Sequence, residues 1–299
     1  MNVKLKDLTD EELLHQGSNA CAGCGAYLGL RLALKALGKN TIIVNPTGCI
    51  SACTMLGETK VPFFHPLFGN GGSIVSGMDA GLKAIGKRKG KNLLVFGGDG
   101  GTADIGLQAL SGAIERGHDF IFICYDNESY MNTGGQRSGT TPFGAVTSTT
   151  PLGKKVQGET RPHKYRKDLP EIIRAHGAPY VATASIAYPL DYIKKVNTAA
   201  ATEGPAYIHL YASCPPGWGV EPRHSIKVAR LAVETGFFPL YEIKDGHKTT
   251  TVKVNKRKDI KEYLQIQRRF RHLLQNQGAL KSFKEIVERN LPRPEPKRR

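Results

Sequence analysis

The chain has 299 residues, 40% of them hydrophobic, six cysteines and a formal net charge of +16. That length admits one large α/β domain with an appendage, or two small domains. No apolar run approaches the roughly 18–20 residues needed to cross a bilayer, the first ten residues lack the apolar centre of a signal peptide, and six cysteines are few for a secreted disulfide scaffold of this length, so a cytoplasmic location is expected.

Residues 25–38 read as a helix closed by Gly38, and 41–45 as a short β-branched strand running into Pro-Thr-Gly-Cys49. A glycine-tolerant helix is predicted over 71–85, a strand over 92–96, a helix over 105–116 and a strand over 120–125. From Glu128 to Leu169 the chain is rich in Gly, Thr and Pro without periodicity, and irregular segments of that length are commonly functional. Regular structure resumes as a helix over 169–176, a strand over 180–184, a helix over 189–202 and a strand over 206–211 that leads to Cys214. Beyond Phe238 the pattern changes to a hairpin over 241–254 around Lys244-Asp-Gly-His. An apolar helical stripe of Tyr263, Ile266, Phe270, Leu273 and Leu274 comes next, with basic residues opposite. The closing Pro- and Arg-rich stretch is expected to be disordered unless a partner holds it. The strand–helix–strand alternation predicts an α/β fold with a mostly parallel sheet and helices on both faces, over residues 1–240. Residues 241–299 form a basic extension. Positions 250–299 hold 15 Lys/Arg against five Asp/Glu, +10 of the +16. No nucleic-acid recognition motif accompanies that charge, so a solvated or subunit-contacting helix is preferred, and an acidic electron carrier would also be drawn to it.

The chemistry concentrates at Val95-Phe-Gly-Gly98-Asp99-Gly100-Gly101-Thr-Ala-Asp104 and, 28 positions on from Asp99, at Asn127. Each lies just past the carboxyl end of a predicted buried strand, so a parallel sheet sets Asp99 and Asn127 side by side at its ligand-binding edge. A carboxylate and an amide oxygen are hard ligands suited to Mg²⁺, and the glycines let backbone and a helix N-terminus approach a diphosphate. Cys21-Ala-Gly-Cys24, Cys49 and Cys214 fall near the same edge. Thiolates from separate loops hold zinc or an iron–sulfur cluster, and the residues alone leave cluster, zinc and inert thiols open. Cys124, inside an apolar strand, reads as a buried hydrophobe. Cys53, four residues beyond Cys49, is an alternative ligand to it. Asp104 serves to cap the following helix, His65 is a loop histidine or a cofactor contact, Trp218 braces the Cys214 loop, and Arg137 is a cofactor or subunit contact.

Cys21-x-x-Cys24-Gly, Thr47-Gly-Cys49, Gly97-Gly-Asp99-Gly-Gly-Thr-Ala-Asp-Ile-Gly, Tyr125-Asp-Asn-Glu-Ser129-Tyr130-Met-Asn132-Thr-Gly-Gly-Gln136 and Ser213-Cys214-Pro together carry a resemblance. The chain resembles the β subunit of the 2-oxoacid:ferredoxin oxidoreductases, most closely those acting on pyruvate, from about Gln16 to Leu274. The resemblance implies a thiamine diphosphate-binding fold, with Asp99, Asn127 and the Ser129 carbonyl holding Mg²⁺ and Gly98, Gly100 and Gly101 under the diphosphate. It implies a [4Fe–4S] cluster on Cys21, Cys24, Cys49 and Cys214. Cys49 and residues Asn127–Asn132, Tyr130 among them, would line the cofactor, with Asn132 facing the substrate as the catalytic position. Cys53 stands outside the family's cluster pattern. Some relatives carry an aromatic residue where Gly101 stands and an acidic one where Ala26 stands.

The activity implied is oxidative decarboxylation of a 2-oxoacid, pyruvate first, to acyl-CoA and CO₂, with electrons passing through the cluster to ferredoxin and coenzyme A taking the acyl group. The alternatives are 2-oxoisovalerate, 2-oxoglutarate, oxalate without coenzyme A, or a non-redox thiamine decarboxylase or synthase subunit. Thiamine chemistry also needs a glutamate against the aminopyrimidine, and a single sheet has no room for a second binding domain. An α subunit is therefore expected to supply it, alongside γ and ferredoxin-like δ subunits. Neither nucleic acid nor membrane is an expected partner.

Overall fold

The computed structural model describes residues 9–54, 59–150 and 166–291. The readings made for the extreme termini, and for part of the irregular stretch after Glu128, lie outside these residues. Eight strands form one sheet: β1 (Thr41–Val44), β2 (Phe63–Phe64), β3 (Asn92–Gly98), β4 (Phe120–Asp126), β5 (Tyr180–Ser185), β6 (Pro205–Tyr211), β7 (Tyr241–Lys244) and β8 (His247–Thr250). Their order is β2-β1-β3-β4-β6-β5-β7-β8. The first six run parallel, and β7 and β8 add antiparallel at one edge.

All seven residues of β4 and of β6 are buried, as a parallel sheet covered on both faces requires. The two-residue side-chain period sorts each strand between two cores. Leu94, Phe96, Ile121, Ile123 and Tyr125 face one, where α1 (Gly25–Leu37), α6 (Pro189–Ala200) and α8 (Ser225–Glu234) pack. Leu93, Val95, Phe120, Phe122 and Cys124 face the other, against α3 (Gly71–Ala84), α4 (Leu107–Glu115) and α5 (Leu169–Ala175). Cys124 is fully buried there, the small hydrophobe expected of it.

The hairpin turns tightly at Asp245 and Gly246, both at positive φ, as a two-residue loop demands. The stripe beyond it is not one helix. It divides into α9 (Ile260–Gln265) and a 3₁₀ helix over Arg268–Gln275, because Gln267 between them is extended. Tyr263, Phe270 and Leu273 still reach the core, whereas Leu274 remains exposed. The helix α10 (Gln277–Asn290) closes the described chain, and its Phe283 and Val287 join the same core. Three short helices stand outside the periodic patterns: α2 (Cys49–Thr54), α7 (Pro215–Trp218) and a 3₁₀ turn at Pro222–His224.

Lys195 on α6 is buried with all three ammonium donors engaged. They reach the Thr183 carbonyl of β5 at 2.7 Å, Asp191 Oδ2 at 2.6 Å and Thr251 Oγ1, just past β8, at 2.7 Å. Burial pulls its pKa down, opposed by Asp191. Lys195→Ala strands these acceptors and is expected to cost about 3–5 kcal/mol, read as a lower urea midpoint at unchanged slope.

Candidate active site

β1, β3, β4 and β6 end on one edge of the sheet, and each hands over there to a loop that carries chemistry. β1 leads through Pro46-Thr-Gly to Cys49 at the start of α2, β3 to Asp99, β4 to Asn127, and β6 to Cys214 ahead of α7. Cys24 caps α1, its sulfur accepting from the Tyr27 amide at 3.4 Å. The Gly25 amide bonds the Ser213 carbonyl at 3.0 Å, which brings the Cys21/Cys24 turn against the Cys214 loop. A Cβ on Gly25 would lie 2.6 Å from the Ser213 nitrogen, so only glycine permits this approach.

Asp99 is 1% exposed. Its Oδ2 accepts from the Ser138 hydroxyl and lies 2.9 Å from Thr140 Oγ1, which leaves Oδ1 to face Asn127. The Asn127 amide atom on that side is 3.0 Å from Asp99 Oδ1 and 2.8 Å from the Ser129 carbonyl oxygen. An amide nitrogen there donates to both oxygens, so bringing the Asn127 oxygen against Asp99 and the Ser129 carbonyl requires the amide to turn over. Burial and the neighbouring Asp126 push the Asp99 carboxyl well above the usual carboxylate range. Asp126 moves the other way. Its burial is outweighed by His209, whose Nε2 is 2.8 Å from Oδ2, and its carboxyl is held below the usual range. Thr140 Oγ1 is also 2.8 Å from Asp126 Oδ1, so one hydroxyl stands between the two carboxyls with a single proton to donate.

Past Gly100 the chain makes a π turn over Gly101–Ile105 before α4, a form frequent at functional sites. Asp104 does not cap α4, whose N-cap is Gly106 with no side-chain bond. Its Oδ2 accepts from Tyr130 Oη at 2.8 Å and the Gly139 amide at 2.9 Å, and its Oδ1 from Lys167 Nζ at 2.7 Å. Three segments of the irregular loop are thereby tied to the turn. His65 is a satisfied loop histidine, with Nδ1 3.0 Å from the Asn45 carbonyl and Nε2 3.3 Å from Thr47 Oγ1. Arg137 is exposed. Trp218 is buried and donates from Nε1 to the Asn127 carbonyl at 2.8 Å, so it braces the cofactor-side loop as well as its own.

Two cavities open at this edge. One, of about 280 Å³, is lined by Gly98, Asp99, Gly100, Gly101, Tyr130 and Thr47 among others. The second, of about 910 Å³, is lined by Cys21, Cys24, Cys49, Cys53 and Cys214. Cys49, Asn127, Ser129, Met131 and Asn132 line both, so the two chambers adjoin along these residues. Among the described residues no three His, Cys, Asp or Glu are set closely enough to hold one metal ion. The cysteines surround a space instead of converging on a point. Burial, with the other thiols adding to it, pushes Cys49 up to about 12 and Cys214 up to about 11.

Residues 47–210 match the thiamine pyrophosphate enzyme C-terminal TPP-binding domain. The chain is 54% identical over 275 residues to pyruvate synthase subunit PorB of Methanothermobacter thermautotrophicus, covering 91% of this chain and 94% of that protein. The chain belongs to the β-subunit family of the 2-oxoacid:ferredoxin oxidoreductases. It is also 48% identical over 272 residues to ketoisovalerate oxidoreductase subunit VorB of Pyrococcus horikoshii, covering 88% of this chain and 86% of that one. Among solved structures, a 2-oxoglutarate:ferredoxin oxidoreductase from Magnetococcus marinus superposes with a TM-score of 0.57 at 23% identity. The match covers 77% of this chain and 81% of that one, a likeness of fold. This β subunit is thus a thiamine diphosphate enzyme subunit.

Sequence patterns do not single out Ser138, Thr140, His209 or the pairing of Glu128 with Arg269. Ser138 and Thr140 lie in an aperiodic loop, and His209 sits in a strand that reads as core. The Cβ of an alanine at position 100 would fall 2.6 Å from the Tyr130 ring, which Asp104 holds in place. Gly100→Ala therefore displaces that wall, and misplacement by about 1 Å costs on the order of 100-fold in rate. Turnover of the assembled enzyme at limiting thiamine diphosphate checks this, with thermal unfolding expected to change little.

Proposed function

We propose that this β subunit carries the diphosphate half of a redox thiamine site and the first electron acceptor beside it. The reaction is oxidative decarboxylation of a 2-oxoacid, pyruvate in preference, to acyl-CoA and CO₂. The observation that carries the reading is the shared wall between the glycine-lined cavity and the five-cysteine cavity.

The residues fit the groups proposed. An octahedron of oxygens at roughly 2.0–2.1 Å from Mg²⁺ has edges of about 2.9 Å, and the Asn127 amide stands 2.8 Å from the Ser129 carbonyl oxygen and 3.0 Å from Asp99 Oδ1, so turning its oxygen to that side would place three oxygens at such separations. A divalent cation there would also offset the burial of Asp99 and its repulsion by Asp126. Asp99, Asn127 and the Ser129 carbonyl would hold the metal, with Gly98, Gly100 and Gly101 under the diphosphate and Tyr130 at the side. Cys21, Cys24, Cys49 and Cys214 would hold a [4Fe–4S] cluster, for which a cavity suits better than a single-ion point. Cys53 shares that cavity outside the family pattern. Thiamine diphosphate, when bound, supplies a carbon nucleophile for the 2-oxoacid carbonyl and an electron sink for the decarboxylation. The chain's own part is to anchor the diphosphate, to shield the site with Met131 and the buried Asn127 and Ser129, and to present the Asn132 amide to the substrate from where the cavities adjoin.

Neither cavity is lined by a glutamate among the described residues. This supports an α subunit that contributes the group activating the aminopyrimidine, with γ and ferredoxin-like δ subunits completing the complex. Residues 241–299, basic overall, would contact those partners, and the field they add would attract an acidic ferredoxin. Pyruvate is favoured over 2-oxoisovalerate because three PorB relatives stand at 52–54% identity against 47–48% for the VorB relatives, although two further PorB relatives stand at 47% and 41%. A cytoplasmic setting belongs to the same reading. Among the described residues no helix is long and apolar enough to cross a membrane.

The test is anaerobic purification with the partner subunits, iron and sulfide analysis, and initial rates on pyruvate, 2-oxoisovalerate, 2-oxoglutarate and oxalate. Expected are a brown protein absorbing in the visible, lost in Cys214→Ser, the highest kcat/KM on pyruvate with coenzyme A, and no turnover by the isolated chain. A colourless, iron-free preparation that decarboxylates without an electron acceptor would establish the non-redox alternative.

A further inference from the structure

Asn127 and Ser129 turn a side chain and a carbonyl toward the same point, and an extended chain cannot do this. In a strand the carbonyls lie in the plane of the sheet and the side chains stand out of it. The residue between them makes the turn. Glu128 sits at φ 66°, and apart from Asp245 in the hairpin it is the one non-glycine residue at positive φ among the described residues. A left-handed non-glycine conformation persists where the surroundings over-determine it. Here every polar group of Glu128 is engaged. Its amide donates to Asp126 Oδ1 at 2.9 Å and its carbonyl accepts from Thr141 Oγ1 at 2.7 Å. Its fully buried carboxylate accepts from Arg269 Nη2 and, at 3.4 Å, from Arg166 Nη1.

Arg269 comes from the 3₁₀ helix of the C-terminal extension and is itself 5% exposed. Its guanidinium lies 4.1 Å from the centroid of the Trp218 ring and 4.6 Å from that of Phe270, and Gln267 Oε1 accepts from its Nε at 2.9 Å. The same Trp218 donates to the Asn127 carbonyl. One arginine therefore fixes residue 128 through charge and steadies residue 127 through the indole it covers. Neither Glu128 nor Arg269 has a part in the chemistry described above.

We propose that the Glu128–Arg269 pair is a positioning device for the metal-diphosphate site. It holds Glu128 in the left-handed conformation that turns the Asn127 side chain and the Ser129 carbonyl onto Asp99. The C-terminal extension thus sets the metal affinity of a loop more than a hundred residues before it. This inference rests on reading that oxygen triad as the Mg²⁺ site.

The test uses the complex assembled with its partner subunits and Glu128→Gln, Arg269→Met, Arg269→Lys and the Glu128→Gln/Arg269→Met double variant. Half-saturation by Mg²⁺ and by thiamine diphosphate, kcat at saturation, iron content and melting temperature are measured for each. Disturbing an outer-shell partner typically costs about 10–100-fold in metal affinity. The single variants are expected to raise the Mg²⁺ half-saturation by that factor, more than kcat falls, at unchanged iron content. Arg269→Lys recovers part of the loss, and the double variant is no worse than the poorer single one because the two residues act as a unit. If Arg269→Met fails to assemble, Glu128→Gln and Arg269→Lys, which nearly keep the volume, carry the test. A lower melting temperature with Mg²⁺ half-saturation within about twofold of the wild type, as for a purely structural pair, overturns the proposal. Wild-type complex whose thiamine diphosphate binding ignores Mg²⁺ overturns the triad reading as well, and so separates the two failures.

Discussion

The parallel run of β1, β3, β4 and β6 is the constraint on which everything else depends. Parallel neighbours must finish on the same edge, so four loops that are remote in sequence meet without any contact between them having to be arranged separately. The carboxylate, the amide and the thiols are then sorted laterally by strand order. The two β1 and β6 loops carry Cys49 and Cys214 on the flanks, and β3 and β4 put Asp99 and Asn127 between them. Hydrophobic burial supplies the sheet, and the site results from its topology.

At that edge the loop after β4 cannot be stabilised by regular backbone pairing, because its task is to present oxygens out of the sheet plane. Its polar groups are satisfied by side chains instead. Ser138, Thr140 and Thr141 fold back onto Asp99, Asp126 and Glu128, and Asp104 ties Tyr130 and Gly139 to the π turn. Hydroxyl-rich loops suit this task because each Ser or Thr oxygen both donates and accepts. The abundance of Thr and Gly in this segment is thus a consequence of how the site is held together.

Every strand but the two-residue β2, the helices α1, α3, α4, α5 and α6, and the shared edge were legible in the sequence because two-residue and 3.6-residue periods are local signals, whereas α8 and α10 were not read. Cys124, the hairpin at Asp245-Gly246 and the placement of Asp99 beside Asn127 all come from such patterns. What was not legible depends on contacts between distant segments. Nothing near Glu128 points to Arg269, which is 141 positions away, and His209 lies in a strand whose other residues read as core. The stripe after Tyr263 carried the right core residues but the wrong helical type, since the extended Gln267 donates back to the Tyr263 carbonyl at 2.8 Å and breaks the run. Asp104 and Trp218 were visible, but their reach was not, because hydrogen bonds to loop backbone leave no periodic trace.

The set of residues shared by the two chambers has a further consequence. Cys49, Asn127, Ser129, Met131 and Asn132 each present a surface to both sides. A substitution at any of them is felt in both chambers at once, so adaptation of one is vetoed by the other. Divergence within such a scaffold is channelled to residues that see one chamber alone, such as Phe68 and Thr133 on the glycine side or Ala52 and Cys53 on the cysteine side. The partition behaves as a locked component, and evolutionary freedom is pushed outward to the rims and to whatever surface meets them.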